Sequence, residues 1–225
     1  WKFCQYKFYE QWNRLHKYAN SRGIQIIGDI PLYLALDSAD VWANREDFLL
    51  GADGRPAVVA GCPPDAFSDY GQKWGNPIYN WAKMEKEDFP WWRRRMKANA
   101  KLYDIIRIDH FIGFANYYAI PAEEKTARNG KYEIGPGRKL FNRIKKALPE
   151  LNIVAEDLGV VNKRVKNLLA WCGYPGMKVL QFAFDGDDSP DLPANHVKNC
   201  VVYTGTHDNN TTLGWWADAS DETKA

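Results

Sequence analysis

Long apolar runs are missing from these 225 residues. None approaches the roughly 20 residues that a membrane-spanning helix needs, so no such helix is expected. Cysteine is sparse as well. Cys4, Cys62, Cys172 and Cys200 are scattered with no C-x-x-C pair, which excludes a zinc knuckle and a thioredoxin-like redox motif. Four scattered thiols in a chain this long point to a reducing cytoplasm. No G-x-G-x-x-G or Walker pattern is present, so no nucleotide-binding turn is expected. Nor is there a D-x-D-x-D-G run that would hold calcium. A net charge of only +2 gives no reason to expect a nucleic acid or an anionic membrane as partner. No secretory signal is read at the N-terminus. The first residue is Trp1 rather than Met, and the chain is expected to be a piece of a longer protein.

Aromatic residues, by contrast, are plentiful: 10 Trp, 12 Tyr and 10 Phe. Most should pack the core, but several fall in Gly/Pro-rich stretches that read as loops. Short apolar β-type runs occur at residues 24–27, 105–108, 153–155, 179–184 and 200–203. Helical periodicity occupies 3–20, 92–103, 138–148 and 162–171, with Leu140, Ile144 and Leu148 recurring every four residues. Helix and strand alternate, which predicts an α/β fold of parallel strands joined by crossover helices. The connection from 37 to 90 carries Gly/Pro clusters and reads as a long functional loop. Arg93, Arg94 and Arg95 read as a solvated helix face. Trp91 and Trp92 read as packing residues, His16 as a surface residue, and Cys62 as a thiol without an activating neighbour.

Position of the acids decides between an open sheet and a barrel. Asp29, Asp109, Glu156 and Asp208 each lie at or just beyond the C-terminal end of an apolar run. Barrel enzymes gather their chemistry at that end of the strands, so a (β/α)₈ TIM barrel is expected, here incomplete, with raw sheet edges. A carboxylate cluster there has two main uses. One is metal binding, with Asp109, Asp208, His110 and His207 as the donor set. The other is glycoside chemistry, which needs one ionised and one protonated carboxyl flanking the scissile bond. Aromatic-rich loops favour the second, because sugar rings stack on Trp and Tyr faces. A carbohydrate-binding domain without catalysis would need no such set of acids. Arg107 lies two residues before Asp109, so the two side chains share a face, and its charge is expected to keep Asp109 ionised. Glu156 must instead hold a proton near neutral pH, so an apolar or anionic surrounding is expected. Asp157 should point to the opposite side and be structural.

Seven stretches in order, Gly28-Asp-Ile-Pro31, Asp37-Ser-Ala-Asp-Val-Trp-Ala43, Gly61-Cys-Pro-Pro-Asp65, Trp74-Gly-Asn-Pro77, Arg107-Ile-Asp-His110, Ala155-Glu-Asp-Leu-Gly159 and Thr206-His-Asp-Asn209, closely resemble the 4-α-glucanotransferases. These are the amylomaltases or disproportionating enzymes, glycoside hydrolase family 77. The resemblance runs from about Gln5 to Trp216. It implies a catalytic (β/α)₈ barrel, of which residues 1–225 would supply roughly the third to seventh strands, with 37–90 as an active-site insertion. It implies Asp109 as nucleophile, Glu156 as general acid and then base, and Asp208 as stabiliser of the transition state. Asp29, Arg107 and His207 would surround the reacting sugar; Asp65, Phe67 and Trp74 would belong to a loop over the cleft. Ala66 departs from the family, where many members carry Tyr. The implied substrates are a maltooligosaccharide or α-glucan donor and a glucose or glucan acceptor, with no cofactor and no metal. A hydrolase of the same chemistry differs only in its acceptor.

Overall fold

In the computed structural model, which describes residues 1–65, 68–184, 186 and 188–224, helices and strands follow one another through the whole chain. They run α1 (Lys2–Ser21), β1 (Ile27–Pro31), α2 (Ala39–Ala43), β2 (Val58–Cys62), β3 (Gln72–Pro77), α3 (Trp81–Lys86), α4 (Pro90–Asn99), β4 (Ile105–Asp109), β5 (Asn116–Pro121), β6 (Lys131–Ile134), α5 (Gly137–Ala147), β7 (Asn152–Ala155), α6 (Lys163–Cys172), β8 (Gly176–Val179), β9 (Cys200–Tyr203), α7 (Thr212–Asp218) and α8 (Asp221–Lys224). The fold is α/β. Parallel pairing joins β1 to β4, β4 to β7, and β8 to β9. A single bond from Ala155 N–H to Pro175 C=O at 2.9 Å brings the β8 end alongside β7. The described strands thus form two parallel ladders, not a closed barrel.

Helix faces follow the sequence period. In α5, Leu140, Phe141 and Ile144 are buried while its cations point outward. The α6 helix buries Val165, Leu168 and Cys172. Its Asn162 cap accepts from Arg164 N–H and Val165 N–H, and Gly173 ends it in the left-handed conformation. Trp91 and Trp92 are buried on α4, as expected of packing residues. Arg95 is not the solvated residue expected: it donates to Pro31 C=O at 2.7 Å and lies over the Trp91 and Trp92 rings.

Three expectations shift. The first strand sits at 27–31, not 24–27, so Asp29 lies within it and not beyond its end. The run at 179–184 is the end of β8 followed by a 3₁₀ turn. Above all, the 37–90 connection is not mainly loop. It holds α2, α3 and two strands of a four-stranded antiparallel sheet ordered β3-β2-β5-β6, whose other two strands come from 116–134. Gly61 allows β2 to approach β3 closely, since a Cβ there would sit 2.1 Å from Gln72 O.

Candidate active site

The site grows from the C-terminal ends of β4 and β7. Ile106 and Ile108 are fully buried, and the strand between and beyond them carries Arg107 and Asp109 on the shared face. Arg107 is 7% exposed. Its Nη1 donates to both Asp29 carboxyl oxygens at 2.7 Å and to Asp109 Oδ1 at 3.1 Å; Nε reaches Met177 Sδ at 3.3 Å. One buried cation therefore ties β1 to the end of β4.

Asp109 differs from expectation in its net shift. Burial pushes its carboxyl above the ordinary value; Arg107 opposes this, while Asp29 and Asp208 add to it. The guanidinium alone does not win.

Glu156, the residue after β7, is 8% exposed. Burial raises its carboxyl to about 7, and the Asp109 charge adds to the rise. Backbone donors and Arg107 pull the other way. Those donors are His110 N–H on Oε2 at 2.7 Å and Leu158 N–H on Oε1 at 2.8 Å. A carboxyl balanced near neutrality can give up a proton and take it back. Asp157 turns away and accepts from Met177 N–H at 2.7 Å, the structural role expected of it.

His207 and Asp208 follow β9. Their side chains are 68% and 69% exposed, with His207 Nε2 3.5 Å from Asp208 Oδ2 and 4.0 Å from Asp29 Oδ2. A cavity of about 590 Å³ brings Asp65, Trp74, Arg107, Asp109, Glu156 and Asp208 together. Trp74 projects from β3, its Nε1 donating to Gln72 Oε1 at 2.9 Å, and Asp65 Oδ1 accepts from Ser68 N–H. Phe67 and Ala66 lie outside the described residues. The cavity also includes Tyr33, Gln72, Asn76, Phe182 and Asn209, which sequence reasoning missed. Tyr33 and Asn76 immediately follow or end strands on the same side, and a correct reading of β1 and β3 would have flagged them. The alternative metal donor set is not assembled. The His110 ring lies edge-on to Trp74 at 4.9 Å, and among the described residues no three His, Cys, Asp or Glu side chains converge on one point.

Comparison with known proteins agrees with this geometry. The family described as 4-alpha-glucanotransferase, glycoside hydrolase family 77, matches residues 1–225. A 4-alpha-glucanotransferase from Clostridium butyricum is 55% identical over 218 residues, 96% of this chain and 45% of the relative. A chloroplastic/amyloplastic 4-alpha-glucanotransferase from Solanum tuberosum is 51% identical over 222 residues, 98% of this chain and 38% of the relative. An amylomaltase from Streptococcus agalactiae, solved in complex with acarbose, superposes with a TM-score of 0.94 at 47% identity, covering 98% of this chain and 45% of that one. The chain thus spans less than half the length of these relatives. Matched from end to end by one family, and carrying the family's acids in one cleft, the chain belongs to the 4-alpha-glucanotransferases of glycoside hydrolase family 77.

Proposed function

We propose that this chain supplies the catalytic acids of a 4-α-glucanotransferase, which moves α-1,4-glucan segments between maltooligosaccharides with retention of configuration. The observation that carries the reading is the pair at the ends of neighbouring strands: Asp109 held by Arg107, and Glu156 buried with its carboxyl raised to about 7. Retaining chemistry places such carboxyls about 5–5.5 Å apart. Asp109 attacks the anomeric carbon and forms a covalent β-glucosyl ester as the glycosidic C–O bond breaks. Glu156 gives its proton to the departing 4-oxygen. It then takes the proton from the acceptor's 4-hydroxyl as that oxygen displaces Asp109. Asp208 binds hydroxyls of the distorted sugar, with Asp29, Arg107 and His207 around it, and Asp65, Phe67 and Trp74 lie over the cleft. Two carboxyls suffice for these steps, so no cofactor or metal is invoked.

The same reading treats residues 1–225 as the third to seventh strands of a (β/α)₈ barrel, with 37–90 as its active-site insertion. The parallel ladders and the similar amylomaltase support it. That relative's complex with acarbose supports a saccharide in the cleft. Four free cysteines suit a cytoplasmic enzyme, and no helix among the described residues is long and apolar enough to cross a membrane. No nucleic acid is invoked as a partner.

Maltotriose fed to the complete protein tests the proposal. A ladder of longer glucans plus glucose is the expected product. Glucose and maltose alone would make water the acceptor, and no turnover would leave a carbohydrate-binding domain.

A further inference from the structure

His110 stands between the proposed nucleophile and the aromatic side of the cleft. Its backbone is left-handed, φ 51° and ψ 46°, a conformation uncommon for any residue with a Cβ. Only Asp88 and Phe89 share a positive φ among the described non-glycine residues. That twist aims His110 N–H at Glu156 Oε2, 2.7 Å away, while the next amide, Phe111 N–H, donates to Glu156 C=O at 2.9 Å. The ring is wedged. Trp74 meets it edge-on at 4.9 Å and the Tyr33 ring lies at 6.2 Å. On the other side, Gly113 leaves room: a Cβ there would sit 2.9 Å from His110 Cδ2. Burial drives the imidazole pKa down to about 4, so near neutral pH the ring is an uncharged wedge and no proton carrier.

We propose that His110 is the positioning residue of the acid/base. Its left-handed backbone, wedged by the ring against Trp74 and Gly113, aims an N–H at Glu156 and thereby sets both the direction of that carboxyl and how firmly it holds its proton. The inference rests on the role given above to Glu156. The charged groups facing Glu156 are Asp109 and Arg107, and its other carboxyl oxygen is taken by Leu158 N–H. Among these, His110 supplies a directional donor that favours the carboxylate. Without it, Glu156 keeps its proton to higher pH and is free to turn.

The test compares His110→Asn, which tolerates the left-handed region, with His110→Val, which opposes it. Both are made in the complete protein. Glu156 is titrated directly by ¹³C NMR on labelled glutamate, and kcat and KM are measured on maltotriose. The Asn variant should leave Glu156 titrating near its wild-type value with most of kcat kept. The Val variant should raise the titration by about one unit and lower kcat about tenfold or more, with KM little changed. If Val melts without cooperativity, His110→Ala makes the same comparison with a smaller push. Unchanged Glu156 titration in every variant, with activity following only the folded fraction, would overturn the proposal. The titration needs no turnover. A wild type that fails to elongate maltotriose would therefore sink the transferase reading while leaving this one measurable.

Discussion

The mouths of two parallel ladders present acids in opposite ways. At β4 and β7, Ile106, Ile108 and Ala155 are sealed, Arg107 is buried, and Glu156 is only 8% exposed with a backbone donor on each oxygen. At β9, Val202 is 44% exposed, and His207 and Asp208 stand 68% and 69% exposed. The first mouth is built before any ligand arrives, and its burial is what shifts the proton affinity of its acids. The second offers charge from a lightly packed loop. Preorganisation belongs where bonds break and a proton moves; an acid that only grips hydroxyls of a distorted sugar can be oriented by the sugar itself.

Removing the two acids of the packed mouth should have the largest effect. Asp109→Ala should abolish transfer, because no group remains to form the glucosyl ester. Glu156→Ala should lower it by about 10²–10⁴. A glucosyl fluoride donor separates the two roles, since fluoride departs without a proton. Glucosylation of the protein, followed by mass spectrometry, should return in part for Glu156→Ala and not for Asp109→Ala. Rescue of both or of neither would break the division of labour between β4 and β7.

These two acids were legible because each terminates an uninterrupted apolar run, and period-2 geometry puts Arg107 on the face of Asp109. Asp29 was legible as an acid but not in its register: β1 begins at Ile27, since its alternation of buried and exposed residues starts there, not at the apolar Ile24. The antiparallel sheet was illegible. Its strands contain Gly61, Gly75, Pro77 and Pro121, and β6 is exposed at all four positions. Pairing across the chain, not a local hydrophobic pattern, makes them strands. For the same reason His110 reads in sequence as a possible metal ligand. Nothing local reveals that Trp74, brought by β3, turns its ring into a wedge.

Burial of Glu156 also predicts a difference in the pH dependence of stability. A carboxyl raised in the folded protein to about 7 from an unfolded value near 4.5 binds its proton more tightly when folded. Folding is therefore penalised as pH climbs from the unfolded value through about 7, and the penalty is absent below that window. Glu156→Gln should remove it. Its melting temperature relative to wild type should be higher at pH 8 than at pH 4. Asp208→Asn, at the exposed mouth, should show no such crossover although it slows transfer. Equal pH slopes for Glu156→Gln and wild type would mean that the burial is not felt as a charge penalty, and the contrast between the mouths would lose its physical basis.

The smallest effects should sharpen the same contrast through helix caps. Each mouth is followed by a capped helix. Asn162 accepts two N–H groups at 2.9 and 3.1 Å at the start of α6, and Thr211 accepts Gly214 N–H at 3.1 Å at the start of α7. The α6 helix buries three side chains in the core, whereas α7 buries none. Loss of a cap costs roughly 1 kcal/mol when the helix unfolds only with the whole. Asn162→Ala should therefore lower the urea unfolding free energy by about that much. Thr211→Ala should lower it by only a few tenths, because α7 can open locally without global unfolding. Hydrogen exchange distinguishes the two cases. The Gly214 amide should exchange faster in Thr211→Ala under native conditions, while the amides of α6 should follow the global free energy. A global loss of the same size for both caps would show that the β9 side is tied into the core as firmly as the β7 side, and that the exposure of Asp208 does not reflect loose packing beneath it.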